Sequence, residues 1–221
     1  MDKDMSKLLS PGRSVLRNSL ILGVFAICTV GVIAFIQQGT SERIAAEQQR
    51  MQMRALNEIL PHDQHDNDLL EDSFMVADQS LLHLPAPATA WRARQQGQVI
   101  AVILPAVTLD GYSGRIDLLV GIRANGELAG VRVVNHRETP GLGDKLEVAK
   151  GNWIFSFDGK SLELPAPEGW AVRKDGGEFD QFVGATITPR AVVQAVRNAL
   201  LYFQQHRAEL LQLTDQEASH G

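Results

Sequence analysis

The stretch RIDLLVGIRANGELAGVRVVN, residues 115–135, decides the fold. Its two halves, 115–122 and 128–135, are rich in Val, Ile and Leu, and Ala124-Asn125-Gly126 lies between them. Asn-Gly between apolar runs is a strong short-range hairpin signal, because both residues tolerate the backbone of a tight reversal. Upstream, residues 98–107 form a further short apolar run, interrupted at Pro105. Downstream, Val192, Val193, Val196, Leu200 and Phe203 recur at helical spacing and predict one apolar helix face. Strands in the middle with helices before and after predict an α+β domain with a mainly antiparallel sheet and flanking helices, not a doubly wound sheet. No internal repeat is present.

Composition narrows the function classes. Of 221 residues, 44% are hydrophobic and 21% charged, which excludes global disorder. A net charge of −5 argues against nucleic acid as a partner, since that needs a basic patch or stripe. The single cysteine, Cys28, rules out an intramolecular disulfide and any multi-cysteine metal or iron–sulfur site. No Ser/His/Asp arrangement suggests a hydrolase, and no independent catalytic activity is expected.

Residues 18–41, NSLILGVFAICTVGVIAFIQQGTS, run for 24 positions without a charged side chain. At about 1.5 Å per residue such a helix crosses the ~30 Å hydrocarbon core with some tilt. The alternative is a cleaved signal peptide, whose apolar region is only about 7–15 residues long. Lys3, Lys7, Arg13 and Arg17 precede the span, against Arg43, Arg50 and Arg54 after it. That bias places the N-terminus, residues 1–17, in the cytoplasm and the rest outside. Ser41 is a possible N-cap for a stalk helix that Pro61 ends. The stretch PHDQHDNDLLED then puts two histidines and five acids into 12 residues. His62, Asp63, His65 and Asp66 are potential metal ligands, but no spaced ligand pattern is matched and a solvated turn accounts for them. HLPAPATA reads as an extended Pro/Ala linker. The expected organisation is therefore a span at 18–41, a stalk and connecting segment at 42–84, a domain at 85–206 and a tail at 207–221.

The stretch FDQFVGATITPRAV, residues 179–192, feeds the last helix. Pro189 suits the first helical position and Thr188 the N-cap before it, which leaves Thr186 two residues outside. Gly184 and Ala185 keep bulk away from the Thr186 hydroxyl, and a phosphate there would lie close to the free amides of a helix N-terminus. From spacing alone an anion role and a plain pre-helical threonine both remain open.

Asp180-Gln181-Phe182-Val183-Gly184-Ala185-Thr186 resembles the D-x-x-S/T-G-A-T flavinylation motif of the FMN-binding domain family. A second block, HRETPGLGDKLE at 136–147, carries the E-T-P-G-L-G core also typical of that family. Anchor, stalk, length and the order of the motifs look most like the RnfG family, the flavin-bearing members of the Rnf (Rsx) ion-translocating electron transport complex. That family is related to the C subunit of sodium-pumping NADH:quinone reductase. The one departure is Val183, which stands where the pattern has Ser or Thr; it keeps the β-branched shape and loses the hydroxyl.

The resemblance implies FMN bound covalently, by a phosphoester to Thr186, with Asp180, Gly184 and Ala185 completing the motif. It also implies that Glu138, Thr139, Gly141 and Leu142 form a loop beside the flavin, where a bare reading gives only a Pro-Gly turn. Trp153 and Trp170 could stack on the ring or belong to the core; Lys145, Lys174 and Arg190 could pair with the phosphate or stay solvated. The implied modifying enzyme is a separate flavin transferase using FAD and a divalent metal. The implied partners are the other membrane subunits of an Rnf/Rsx-type complex. The implied location is the bacterial inner membrane, single-pass, with the flavin domain periplasmic. The competing expectation is a membrane-anchored scaffold or binding module holding FMN weakly or not at all.

Overall fold

The computed structural model describes residues 11–213, without the side chains of 11–14, 33–49 and 51–52. Lys3, Lys7, the first ten residues of the expected cytoplasmic segment and residues 214–221 of the expected tail lie outside the described residues. The chain divides into two compact units, one ending at Met51 and the other beginning at Gln52. A long helix, α1 (Pro11–Ile59), supplies the first unit. Within it Val15–Val32 is long and apolar enough to cross a membrane, and none of that window is buried against protein. Within that window the Thr29 hydroxyl bonds back to the Phe25 carbonyl at 2.8 Å, which suits an apolar medium.

The second unit is built on a five-stranded antiparallel meander. Its strands are β1 (Ser73–Val76), β2 (Ala88–Gln95), β3 (Gln98–Gly111), β4 (Gly114–Arg123) and β5 (Leu128–Asn135). The hairpin predicted at Ala124-Asn125-Gly126 joins β4 to β5. Arg123 N–H donates to the Glu127 carbonyl, Gly126 N–H to the Arg123 carbonyl, both at 2.8 Å, and Gly126 takes φ +90°. Pro105 does not interrupt its strand. Val107 N–H, pointing the same way two residues on, bonds the Leu82 carbonyl in the loop after β1, so the donor missing at Pro105 faces away from β4.

Both faces of the sheet are covered, which is why β3 and β4 read as nearly continuous apolar runs. Val102, Leu104, Leu118, Val120 and Ile122 face one core, completed by α2 (Ile187–Gln205) through Val192, Val193, Val196, Leu200 and Phe203. Ala101, Ile103 and Leu119 face a second core with Leu56, Ile59, Leu60, Leu69 and Trp91. The final turn of α1 approaches so closely that a Cβ on Gly121 would lie 2.2 Å from Ile59 Cγ2.

Two expectations need correction. The segment read as stalk and linker at 42–84 is largely structural: residues from 52 on belong to the second unit, β1 pairs with β2, and Leu69, Leu82 and Leu84 are buried. The linker HLPAPATA likewise gives its last three residues to β2. The last helix also begins two residues early. Its first residue is Ile187, so Thr186 takes the N-cap position and Thr188 lies inside the first turn. Thr188 is no cap because its hydroxyl is engaged elsewhere, and Pro189 sits at the third helical position, where an N–H is still not required.

Candidate functional site

The two motifs fold as two tight turns that meet. In the first, Leu142 N–H bonds the Thr139 carbonyl at 3.1 Å, with Pro140 and Gly141 between them and Gly141 at φ +80°. In the second, Ala185 N–H bonds the Phe182 carbonyl at 3.1 Å, with Val183 and Gly184 between and Gly184 at φ +82°. A positive φ at the third position alone makes each a type II turn, which requires Gly there. The turns touch: a Cβ on Gly184 would lie 3.4 Å from Leu142 Cδ2. Leu142, Val183 and Ile187 are 43%, 86% and 45% exposed, so the junction is an apolar rim open to solvent.

Thr186 follows the second turn. It is half-buried, has helical backbone angles (φ −75°, ψ −27°) and makes no side-chain cap to α2. Its carbonyl already accepts the Arg190 N–H at 3.3 Å. An ordinary N-cap hydroxyl turns back onto the helix amides. Here it does not, so the first-turn N–H groups of Ile187 and Thr188 have neither an intrahelical acceptor nor a cap, and the positive end of the helix stays open to an anion.

Beneath the turns lies an aromatic cluster. Trp153 packs edge-on against Phe182 and Phe157, with centroids 5.0 and 5.3 Å apart, and Phe157 lies 4.7 Å from Phe179. Trp153 Nε1–H donates to the Asp180 carbonyl at 2.7 Å, so this indole holds the motif from below. Trp170 is buried against Phe157 and Phe179 and donates to the Ser161 carbonyl, a core residue. The Asp180 carboxylate pairs with Arg173 at 3.2 Å on the surface.

Glu138 is 4% exposed and lies under both turns. One oxygen accepts Ser113 N–H at 2.9 Å; the other accepts the hydroxyl of Thr188, itself 0% exposed. Asp144 shapes the ETPGLG loop, accepting Gly141 N–H at 2.8 Å and Lys150 Nζ at 2.7 Å. The Lys150 ammonium holds the Asp144 carboxyl below the usual carboxylate range. The Arg190 guanidinium does the same for Asp175, gripping it at 2.6 and 2.9 Å. Arg190 is thereby committed, whereas among the described residues neither Lys145 nor Lys174 forms an ion pair. The His62 and His65 stretch assembles no metal site among the described residues.

The structure thus brings together Thr186, Gly184, Ala185, Leu142, Gly141 and Thr139 at one junction, with Asp180 beside it and Glu138 beneath. Sequence reasoning missed Ser113 and the Thr188–Glu138 bond. No local pattern announces a partner fifty residues away. Two clefts flank Arg207, beyond the far end of α2, and include no residue of either motif.

Residues 111–201 match the FMN-binding domain, and residues 5–59 match the RnfG N-terminal region. The chain is 56% identical to the G subunit of the ion-translocating oxidoreductase complex of Pseudomonas aeruginosa, over 90% of this chain and 93% of that one. It is 45% identical to its Shewanella loihica counterpart over 90% and 94%, and 44% to that of Vibrio cholerae over 89% and 94%. With its α+β domain behind an apolar N-terminal helix, the chain belongs to the RnfG family, the G subunits of ion-translocating oxidoreductase complexes.

Proposed function

We propose that this chain is a covalent flavoprotein subunit that carries electrons within a membrane-bound, ion-translocating oxidoreductase complex. FMN is joined through its phosphate to Thr186. The observation that carries the attachment point is the uncapped amino end of α2: a Thr186 hydroxyl without a structural task beside two unengaged amides. The amides of Ile187 and Thr188 suit a phosphodiester, and Lys145 and Lys174 are the cations available to it. Thr139, Gly141, Leu142, Gly184 and Ala185 suit the flavin's apolar parts, with Asp180 and Glu138 holding the loops. The bound flavin supplies the redox chemistry; the chain supplies its position and surroundings.

Thr186 is a substrate, not a catalyst. Among the described residues no His or Lys hydrogen-bonds its hydroxyl, and an unassisted threonine is a poor nucleophile. Activation comes from a separate flavin transferase. The Thr186 Oγ–P bond forms as the pyrophosphate bridge of FAD breaks, AMP leaves and the hydroxyl proton passes to a base of the transferase. The apolar helix anchors the chain in the bacterial inner membrane, its span at 18–41 and its N-terminus cytoplasmic. The flavin domain, 85–206 with the β1 segment added, is periplasmic, and the remaining partners are the complex's other membrane subunits.

The test is the full chain expressed with and without the transferase and run on a denaturing gel. A fluorescent flavin band is expected only with the transferase, absent in Thr186→Ala, and the flavin mass is expected on the peptide containing Thr186. Wild type without flavin, restored by Val183→Thr, overturns this reading and supports a membrane-anchored scaffold.

A further inference from the structure

Thr188 and Glu138 form a buried polar pair beside the two turns. Glu138 has no ion pair among the described residues; its carboxylate is satisfied by the Thr188 hydroxyl and by Ser113 N–H at the β3–β4 turn. A carboxylate buried without a cation is costly unless donors meet it, and here two do, from the β3–β4 turn and from α2. The enclosure is tight. A Cβ on Gly143 would come within 2.7 Å of one carboxylate oxygen, and a Cβ on Gly111 within 2.8 Å of the other.

Thr188 is the second residue of α2, two positions after Thr186. Side chains on a helix advance about 100° per residue, so these two point roughly 200° apart. With helical backbone at both positions, a Thr188 side chain locked inward turns the half-buried Thr186 side chain away from the Glu138 pocket. We infer that Thr188 and Glu138 are positioning residues for flavin transfer: their hydrogen bond fixes the first turn of α2 so that Thr186 is presented, with its two unengaged amides, to the transferase. The inference rests on attachment at Thr186. Orientation of a nucleophile is where such a bond has leverage, since a small misplacement costs orders of magnitude in a transfer rate.

The experiment measures the initial rate of flavin incorporation into the full chain in membranes by the transferase, read by in-gel fluorescence. Thr188→Ser keeps the hydroxyl and is expected within about twofold of wild type, whereas the isosteric Thr188→Val is expected at least tenfold slower. Val196→Ala, a core truncation on the same helix, lowers the melting temperature without touching the pair and is expected at the wild-type rate. Glu138→Gln is a second probe should Thr188→Val fail to fold. Its carboxamide oxygen can keep the Ser113 N–H, but its NH2 group must then donate to the Thr188 hydroxyl. That reverses the bond and replaces a charged acceptor with a neutral donor, and at least a threefold loss is expected. Wild-type rates in Thr188→Val and Glu138→Gln, or an equal loss in Val196→Ala, overturn the inference while leaving attachment at Thr186 intact. An unlabelled wild type overturns both.

Discussion

The sheet and the irregular stretch between β5 and α2 lie side by side in one unit and are held by different forces. Strands β3 to β5 are fixed by a long backbone ladder, broken by a few register shifts, and by apolar side chains on both faces. The described regular structure of residues 136–186 is limited to short 3-10 segments and two isolated β-bridges. Beyond the core side chains these residues share with the sheet and the backbone bonds of their own turns, they are placed by side chains reaching backbone: Trp153 to the Asp180 carbonyl, Asp144 to the Gly141 amide, Glu138 to the Ser113 amide. The ladder spreads stability over many small terms, and loss of one is tolerated. The irregular stretch sets the geometry of its turns by a few such bonds and leaves the half-buried Thr186 hydroxyl without a cap.

The difference predicts where damage is thermodynamic and where it is functional. Phe157 is fully buried and joins Trp153, Trp170 and Phe179, so Phe157→Ala should cost about 3–5 kcal/mol and disorder both regions. A denaturant midpoint close to wild type would show that the aromatic cluster is not the common support. Next in size is Gly121→Ala. Its Cβ would collide with Ile59, costing about 1–3 kcal/mol, yet the collision lies on the sheet face opposite α2. Flavin incorporation at a temperature where the variant is folded should stay at the wild-type level. A loss would mean that the two regions are coupled more tightly than their separate bonding suggests.

The same contrast explains what the sequence could disclose. The hairpin at Asn125-Gly126, the apolar runs of β4 and β5 and the face of α2 are periodic features with local causes, and each formed where expected. The Pro-Gly turn at Thr139 was likewise legible from its own residues. β1 and β2 were not, because Ser73–Val76 is short and Ala88–Gln95 is mixed in polarity; their pairing depends on neighbours that only the fold brings near. The helix start failed for a similar reason. Thr188-Pro189 is a good local N-cap signal, but Thr188 is drawn inward by Glu138, and tertiary bonding outweighed propensity. The chemistry proposed at Thr186 came from the resemblance of its motif; physics alone supplied only a threonine near a helix.

Trp153→Phe separates packing from the hydrogen bond. The smaller ring can still contact Phe157 and Phe182, while the bond to the Asp180 carbonyl is lost, a change of about 1 kcal/mol. If the irregular stretch works by a few specific bonds, the flavin incorporation rate should fall by more than the melting temperature suggests. A proportionate fall would make Trp153 ordinary core.

The smallest effect is expected at Asp144, and its sign follows from linkage. Lys150 lowers the folded-state pKa of Asp144 below the unfolded value of about 3.9. A depressed carboxylate contributes stability above the unfolded pKa and loses it as pH falls toward the folded one. Asp144→Asn keeps an acceptor for the Gly141 amide but cannot pair with Lys150. Wild type should therefore be the more stable at pH 7, and the gap should narrow as pH drops below about 4. The effect is modest because Lys150 is about half exposed and its pairing is screened by solvent. Denaturant midpoints of both proteins at pH 7 and pH 3 measure it. A gap independent of pH would mean that the loop is held by the Gly141 hydrogen bond alone, with the ion pair adding nothing to the geometry beside Leu142.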